Sequence, residues 1–138
     1  MAQASESRST KRIRILLVED NETDRQTVKL AIRKRLGMVD VDEVVCGEDA
    51  VNSLRDERNR YDVVILDYDL PGIKGTEVLS KLRELGIEKI AIGLTRWEEP
   101  VLSDMKASCA INAFCKTDRP AFIEYLANHV QQLVASGF

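Results

Sequence analysis

The sequence predicts an α/β fold in which helices cover both faces of a doubly wound, five-stranded parallel sheet. Five short apolar segments alternate along the chain with five segments whose apolar residues recur at helical spacing. The apolar segments are nearly continuous in Val, Ile and Leu, as strands buried on both faces are. The chain has 138 residues, of which 44% are hydrophobic and 31% charged, and this fits one globular domain with a core of its own.

Three strands and two helices are predicted in the first half of the chain. Residues 13–18 (IRILLV) are a β-branched and aliphatic run, which predicts the first strand. The first helix is predicted over 22–36, where apolar residues follow helical spacing and a glycine comes next. The second strand is predicted at 41–46 (VDEVVC), the second helix at 48–58, and the third strand at 62–66 (DVVIL).

The second half of the chain continues the alternation. An apolar stripe over 76–85, ended by a glycine, predicts the third helix, and 89–94 (KIAIGL) predicts the fourth strand. The fourth helix is predicted over 99–108 with a proline in its first turn, where a missing N–H costs nothing. Residues 112–115 (NAFC) predict the fifth strand, and 119–135 the fifth helix.

Charge and composition exclude several classes of protein. Twenty basic and 23 acidic residues give a net charge of −3, which argues against nucleic acid as a direct partner. No apolar run approaches the roughly 18–20 residues of a membrane span, and the amino terminus lacks the apolar region of a secretory signal. Residues 1–11 are polar and are predicted to form a flexible tail before a domain over 12–138.

The three cysteines indicate a reducing compartment. Cys46, Cys109 and Cys115 are odd in number and far apart in the sequence. A zinc site would need a tighter Cys/His cluster, and the chain has one histidine. We interpret the cysteines as reduced, mostly buried small side chains and expect a cytoplasmic protein.

Polar residues at the carboxyl ends of the strands predict a functional site, because ligands bind at that edge in open α/β sheets. The first strand leads into Glu19 and Asp20, the third into Asp67, the fourth into Thr95, and the fifth into Lys116. Carboxylates held close together raise each other's pKa unless a cation lies among them, and Mg²⁺ suits such a cluster. The pattern therefore predicts a Mg²⁺ site.

The chemistry of this cluster points to phosphoryl transfer. Asp67 is predicted to be a nucleophile that takes a phosphoryl group as an acyl phosphate, while a lysine and a threonine are placed to bind phosphoryl oxygens. The turn DLPG behind Asp67 should leave its carboxylate open to solvent.

Four motifs in this order, ILLVEDNETDR, VVILDYDLPGIKG, IGLT and FCK, resemble those of receiver domains, the phosphoacceptor modules of bacterial two-component response regulators. The resemblance covers about residues 12 to 135. It implies a CheY-like (flavodoxin-like) sheet with strand order 2-1-3-4-5. It also implies a switch that assists its own phosphorylation and dephosphorylation but is not an enzyme in the ordinary sense.

The resemblance assigns roles to individual residues. Asp67 matches the phosphorylated aspartate and Asp20 a direct Mg²⁺ ligand, whereas Glu19 matches an acid that holds the metal through water. Asp69 falls where the family supplies a backbone carbonyl to the metal, so its side chain is not implied as a ligand.

The resemblance also implies partners. The family takes its phosphate from a histidine kinase or a histidine phosphotransfer protein. Within the site, Thr95 matches the hydroxyl that switches position, and Lys116 matches the lysine that pairs with the acyl phosphate. Phosphorylation then repositions the face made by the fourth helix, fifth strand and fifth helix, which binds a downstream protein target. That face permits a homodimer and is expected to expose Met105, Lys106, Asp118, Arg119 and Glu124.

Several residues depart from the family pattern. Ala113 stands where an aromatic residue usually rotates inward on activation, and the adjacent Phe114 should point to the opposite face of the strand. Arg96 stands where a small residue is usual, Trp97 follows it in the loop that borders the site, and Thr117 replaces a common proline. We hypothesise that Arg96 or Trp97 partly covers the site and slows phosphate exchange, or replaces the missing aromatic as the moving group.

Two other functions are compatible with the sequence. The departures favour a pseudo-receiver, a binding module with the same fold that works without phosphorylation. The D-x-D spacing of DYDLPG also occurs in haloacid-dehalogenase-like phosphatases. That family, however, has the motif on its first strand instead of its third, and has Thr or Val where this chain has Pro71. The short chain after the fifth helix leads us to expect a stand-alone receiver that acts by docking on other proteins.

Overall fold

The computed structural model describes residues 12–57, 60–87 and 90–137. The predicted flexible tail, residues 1–11, lies outside the described residues, and so do position 58, the predicted end of the second helix, and position 89, the predicted start of the fourth strand.

The five strands form one parallel sheet in the order β2-β1-β3-β4-β5. This confirms the predicted fold class and the strand order. The strands are β1 (Ile13–Val18), β2 (Val39–Val44), β3 (Val63–Leu66), β4 (Ala91–Thr95) and β5 (Asn112–Cys115).

Helices connect the consecutive strands and cover both faces of the sheet. Asn21 caps the first of them, and its side chain accepts a hydrogen bond of 2.8 Å from the backbone N–H of Asp24. A short 3₁₀ turn at Lys116–Asp118 precedes the last helix. The helices are α1 (Glu22–Leu36), α2 (Gly47–Asp56), α3 (Gly75–Glu84), α4 (Val101–Ala107) and α5 (Arg119–Ala135).

Successive side chains of β1 enter two separate cores. Leu16 and Val18 pack with residues of α2, α3 and α4 on one face, while Ile15 and Leu17 pack with residues of α1 and α5 on the other. All four side chains are at most 2% exposed. Because both faces of the strand are buried from Ile15 to Val18, this part of it requires the run of four apolar residues that the sequence contains.

The edge strand β2 begins two residues before the predicted segment 41–46. Its residues Val39 to Val44 pair in register with β1, starting at Ile13. Asp40 is exposed and Asp42 half-buried, because one side of an edge strand faces solvent. A search for continuous apolar residues therefore placed this strand too late.

The helix α4 also begins later than predicted. Pro100 lies just before its first residue instead of within its first turn. The Glu99 side chain accepts hydrogen bonds of 2.8 Å from the backbone N–H and the hydroxyl of Ser103 and so caps the first turn.

Met105 lies in the core, which corrects its predicted place on an exposed face. It is 0% exposed, and a Cβ atom at Gly93 would lie 2.8 Å from its sulfur. Gly93 pairs with Ala113 on the neighbouring strand, so Met105 fills the space that two small residues leave. Phe114 packs in the opposite core, edge-on to Phe122, as predicted.

The cysteines are free thiols, but only one is buried. Cys115 lies in the sheet, whereas Cys46 and Cys109 are half-buried, so the expectation of mostly buried cysteines was wrong for two of them. Among the described residues, no helix combines the length and the apolar character needed to cross a membrane.

Candidate functional site

Acidic residues that follow β1 and β3 meet at the carboxyl edge of the sheet. One carboxylate oxygen from each of Glu19, Asp20 and Asp67 lies within 4.8 Å of the other two. Glu19 and Asp67 are 3% and 5% exposed, whereas Asp20 is exposed. The structure therefore brings together the acids whose convergence the strand ends predict.

Lys116 enters this cluster from the end of β5. Its ammonium nitrogen contacts Oε1 of Glu19, lies 2.7 Å from Oδ2 of Asp24, and lies 3.4 Å from Oδ2 of Asp67. The lysine side chain is 17% exposed. One cation thus offsets part of the negative charge of three carboxylates.

Burial raises the pKa values of the two buried acids of the site. It raises the pKa of Glu19 to about 7; Lys116 opposes this shift and the charge of Asp67 adds to it. It also raises the pKa of Asp67, again against Lys116. For Lys116, burial acts to lower the pKa, but the hydrogen bonds to Asp24 and Glu19 outweigh it and raise the pKa above its usual value.

Asp67 lies at the base of a small cavity. Its Oδ1 atom is buried and has no hydrogen-bond partner among the described residues, while Oδ2 faces Lys116. The cavity has a volume of about 120 Å³, and its walls are Glu19, Asp20, Asn21, Asp24, Asp67, Asp69, Arg96 and Lys116. The expectation that the turn leaves this carboxylate open to solvent was therefore wrong.

The backbone fixes Asp67 from two sides. Its N–H donates to the carbonyl of Val18 over 3.1 Å, which extends the pairing of β1 and β3 by one residue. On the other side, Gly75 begins α3 so closely that a Cβ atom there would lie 2.5 Å from the carbonyl oxygen of Asp67. The second glycine of the motif DLPGIKG, Gly75, is needed for this close approach.

The loop after β1 is also held in place. The N–H of Glu19 donates to the carbonyl of Val44 over 3.1 Å. The Arg25 guanidinium donates to the carbonyls of Glu19 and Asp20 over 3.0 and 3.1 Å, and it bonds Glu43 on β2. These bonds orient the two acids toward the cavity.

The side chain of Asp69 joins two loops at the rim of the cavity. Its Oδ2 accepts from Nε1 of Trp97 over 2.8 Å and from the Arg96 guanidinium over 3.0 Å, and its Oδ1 faces Lys74 at 3.1 Å. The hydrogen bond from Trp97, aided by Lys74 and Arg96, lowers the pKa of Asp69. We call the contact of Asp69 with Arg96 and Trp97 the loop bridge.

Thr95 lies near the site but does not line the cavity. It is 0% exposed, and its hydroxyl oxygen accepts a hydrogen bond of 3.3 Å from the backbone N–H of Trp97. The hydroxyl thus ties the end of β4 to the loop that contains the bridge.

Sequence reasoning missed two residues of the site. Asp24 holds Lys116 across 92 residues of sequence, and Arg25 orients the loop after β1. Both lie at the start of α1. An acid there, such as Asp24, is explained equally well by its favourable interaction with the helix dipole. The available signal was a further acid, Asp24, four residues after Asp20 and close to the end of the first strand.

The donor set fits a hard divalent cation. Three carboxylate oxygens lie within reach of one point, and a buried oxygen of Asp67 lacks a partner. Mg²⁺ prefers such oxygen ligands and binds one or two carboxylates with several waters. A larger groove of about 730 Å³ lies at the amino ends of β1 and β2, but arginines dominate its charged lining and it is far from this cluster.

Comparison with known proteins agrees with this geometry. The family model of the response regulator receiver domain matches residues 15–116. The chain is 32% identical over 116 residues to the two-component response regulator ORR41 of rice (Oryza sativa subsp. japonica), covering 84% of this chain and 90% of that protein. It is 33% identical over 109 residues to the response regulator UvrY of Escherichia coli, covering 78% of this chain but 49% of UvrY, so it spans about half the length of that relative.

Solved structures show the same fold. The receiver domain of the Francisella response regulator 1452 has a TM-score of 0.75 at 20% identity and covers 88% of this chain and 98% of that one. The phosphorylated cyanobacterial phytochrome response regulator RcpA has a TM-score of 0.71 at 22% identity and covers 88% and 92%.

Proposed function

The chain belongs to the response regulator receiver domain family of two-component systems, and from this premise we propose that it is a Mg²⁺-dependent phosphoacceptor that is phosphorylated on Asp67. The observation that carries the proposal is the state of the Asp67 carboxylate. It is buried, one oxygen lacks a partner, and the other lies 3.4 Å from a lysine ammonium. Among the buried side-chain polar atoms of the described residues, this oxygen alone lacks a partner, and a nucleophile in that position suits a single covalent modification.

The metal would be held by Glu19, Asp20 and Asp67 together with the backbone carbonyl of Asp69. When bound, Mg²⁺ supplies positive charge that offsets these carboxylates and the charge on the phosphoryl oxygens. Lys116 would then be free to exchange its contact with Glu19 for one with the phosphoryl group. Asp24 keeps the ammonium near the cavity during this exchange.

The reaction forms one bond and breaks another. A carboxylate oxygen of Asp67 attacks phosphorus, the P–N bond of a phosphohistidine breaks, and its electron pair stays on the imidazole of the donor. Lys116 pairs with a phosphoryl oxygen, and the hydroxyl of Thr95 donates to another after it turns toward the cavity. The donor is a histidine kinase or a histidine phosphotransfer protein, in keeping with the family.

The acyl phosphate serves as a signal. The protein acts as a phosphoacceptor switch, not as an enzyme with repeated turnover of an external substrate. Phosphorylation shifts a two-state equilibrium of the face formed by α4, β5 and α5, and that face binds a downstream protein or a second copy of the chain. We expect no direct nucleic-acid partner, since a net charge of −3 argues against one.

A phosphorylation-independent binding module is the second candidate. It is favoured by Ala113, which is 6% exposed and packs with Met105 where the family has an aromatic residue that moves on activation. Under this hypothesis, the face formed by α4, β5 and α5 binds its partner in one fixed conformation.

Phosphotransfer profiling separates the two candidates. Each phosphorylated histidine kinase and phosphotransfer protein of the source organism is mixed with the full chain and Mg²⁺, and transfer of labelled phosphate is followed. We expect rapid transfer from one or a few donors to the wild type and to Asp56→Asn, an exposed control at the end of α2, and none to Asp67→Asn. Absence of transfer from every donor would favour the binding module.

A further inference from the structure

We propose that the loop bridge restricts the access of phosphoryl donors and water to Asp67, so that Arg96 and Asp69 set the rates at which the acyl phosphate forms and decays. This inference rests on the proposed phosphorylation of Asp67. It concerns side chains whose roles the family resemblance does not supply: Arg96 occupies a position where a small residue is usual.

The position of the bridge is the first argument. Arg96 and Asp69 both line the 120 Å³ cavity that contains Asp67. Exposure rises outward from the nucleophile: the side chains of Asp67, Asp69 and Arg96 are 5%, 24% and 68% exposed. The bridge therefore lies on the solvent side of the cavity that contains the phosphoacceptor.

Several contacts restrain the side chains of the bridge. The Arg96 guanidinium bonds Oδ2 of Asp69 over 3.0 Å and also lies 5.2 Å from the ring centroid of Trp97. The Trp97 indole donates to the same carboxylate oxygen over 2.8 Å. A lone exposed ion pair would open readily, but here the arginine has two contacts, and a third contact joins its two partners to each other.

The connection to Thr95 is the third argument. Its hydroxyl oxygen accepts from the backbone N–H of Trp97, so the loop that contains the bridge begins at a residue predicted to bind the phosphoryl group. When the hydroxyl turns toward that group, the backbone of Trp97 follows or loses its acceptor. Rotation of this hydroxyl therefore couples the loop that contains the bridge to phosphorylation.

The kinetic test uses acetyl phosphate with Mg²⁺ and the full chain. In formation, an Asp67 oxygen bonds phosphorus, the P–O bond of the donor breaks and acetate leaves. In decay, water bonds phosphorus and the bond to Asp67 breaks to release inorganic phosphate. Both rates are followed by intact-mass spectrometry for the wild type, Arg96→Gln and Asp69→Asn.

We expect Arg96→Gln and Asp69→Asn to raise both rates about 3- to 10-fold, because exposed contacts of this kind stabilise the closed arrangement only modestly. Lys74→Gln is the matched control: it removes another cation from Asp69, but Lys74 belongs to the same loop and does not join the two loops. Its rates should stay within about two-fold of the wild type. A slower Arg96→Gln would mean that the arginine attracts the donor, and would overturn the proposal.

The bridge can also be observed without phosphorylation. Trp97 is the only tryptophan, so the protein gives one indole N–H signal in a ¹H–¹⁵N spectrum. We expect slow exchange of this proton with water in the wild type and Lys74→Gln, and faster exchange in Asp69→Asn. Equal exchange in all three proteins would overturn the bridge.

The two proposals fail in different ways. If every protein is phosphorylated at the same rate, the bridge proposal alone is overturned and the proposed function stands. If neither the wild type nor Arg96→Gln accepts a phosphoryl group, both are overturned.

Discussion

The ammonium nitrogen of Lys116 lies 3.4 Å from Oδ2 of Asp67, although 49 residues separate them in sequence. The same nitrogen contacts Glu19 and Asp24, so one side chain at the end of β5 neutralises acids from β1, α1 and β3. Buried charges are tolerated when they are paired, and removal of one partner leaves the others uncompensated. Lys116 therefore stabilises this cluster of acids as well as contributing to its proposed chemistry.

Replacing Lys116 should destabilise the protein. We expect Lys116→Met to lower the free energy of unfolding by about 3 kcal/mol in urea at pH 7, because Glu19 and Asp67 would share a buried site without a cation. Arg35→Met is the control, since its ion pair with Glu124 is exposed on both sides. That variant should unfold at the same urea concentration as the wild type; an equal loss in both would contradict a special role for Lys116.

Magnesium should stabilise the folded protein through its acids. A ligand that binds only the native state raises the melting temperature in a concentration-dependent manner. We expect millimolar Mg²⁺ to raise the Tm of the wild type and of Asp104→Asn, an exposed acid on α4, by several degrees, about 1–2 kcal/mol. Asp20→Asn should lose most of this shift in differential scanning fluorimetry. A full shift in Asp20→Asn would show that the cation binds elsewhere.

The close approach of α3 to β3 should tolerate no side chain. In Gly75→Ala, the new Cβ would meet the carbonyl oxygen of Asp67 at 2.5 Å and the Cα of Tyr68 at 2.9 Å, and backbone cannot move aside cheaply. We expect a loss of about 3 kcal/mol. Gly93→Ala should cost about 1 kcal/mol, because its Cβ meets the flexible end of Met105. Chemical denaturation measures both losses of stability. A larger loss in Gly93→Ala than in Gly75→Ala would be inconsistent with these contacts.

Part of the stability should depend on pH through Glu43. Hydrogen bonds from Lys29 and Arg25 lower the pKa of this carboxyl below its ordinary value of 4.5, although partial burial opposes them. A carboxyl with a lowered folded-state pKa stabilises the protein above pH 4.5, and this contribution is lost as the pH falls through the folded-state value. We expect Glu43→Gln to cost about 1 kcal/mol at pH 7, with the difference disappearing toward pH 3. A constant difference across this range would exclude the ion pairs as its cause.

Much of the fold could be predicted from the sequence because its signals are local. The bounds of β1, α1, β5 and α5 agree with their predicted ranges, since apolar runs and helical spacing mark them clearly. The edge strand β2 was displaced because its residues face solvent on one side and so mix acids with valines. Convergence of the acids followed from strand ends alone, because parallel strands end at one edge of the sheet.

Contacts between side chains on distant loops could not be predicted in this way. Nothing in the spacing of Asp69 and Trp97 indicates that they share a hydrogen bond across 28 residues. Likewise, the burial of Met105 depends on two small residues, Gly93 and Ala113, that become neighbours only when β4 and β5 pair. These features arise from tertiary packing, which the local pattern does not encode.

The central claim, that Asp67 accepts a phosphoryl group, is tested most directly by intact-mass and peptide mass spectrometry after incubation with acetyl phosphate and Mg²⁺. We predict one phosphoryl adduct per chain, located on Asp67, absent when EDTA replaces Mg²⁺ and absent in Asp67→Asn. A chain that gains no adduct, or an Asp67→Asn variant that gains the same one, would contradict the account.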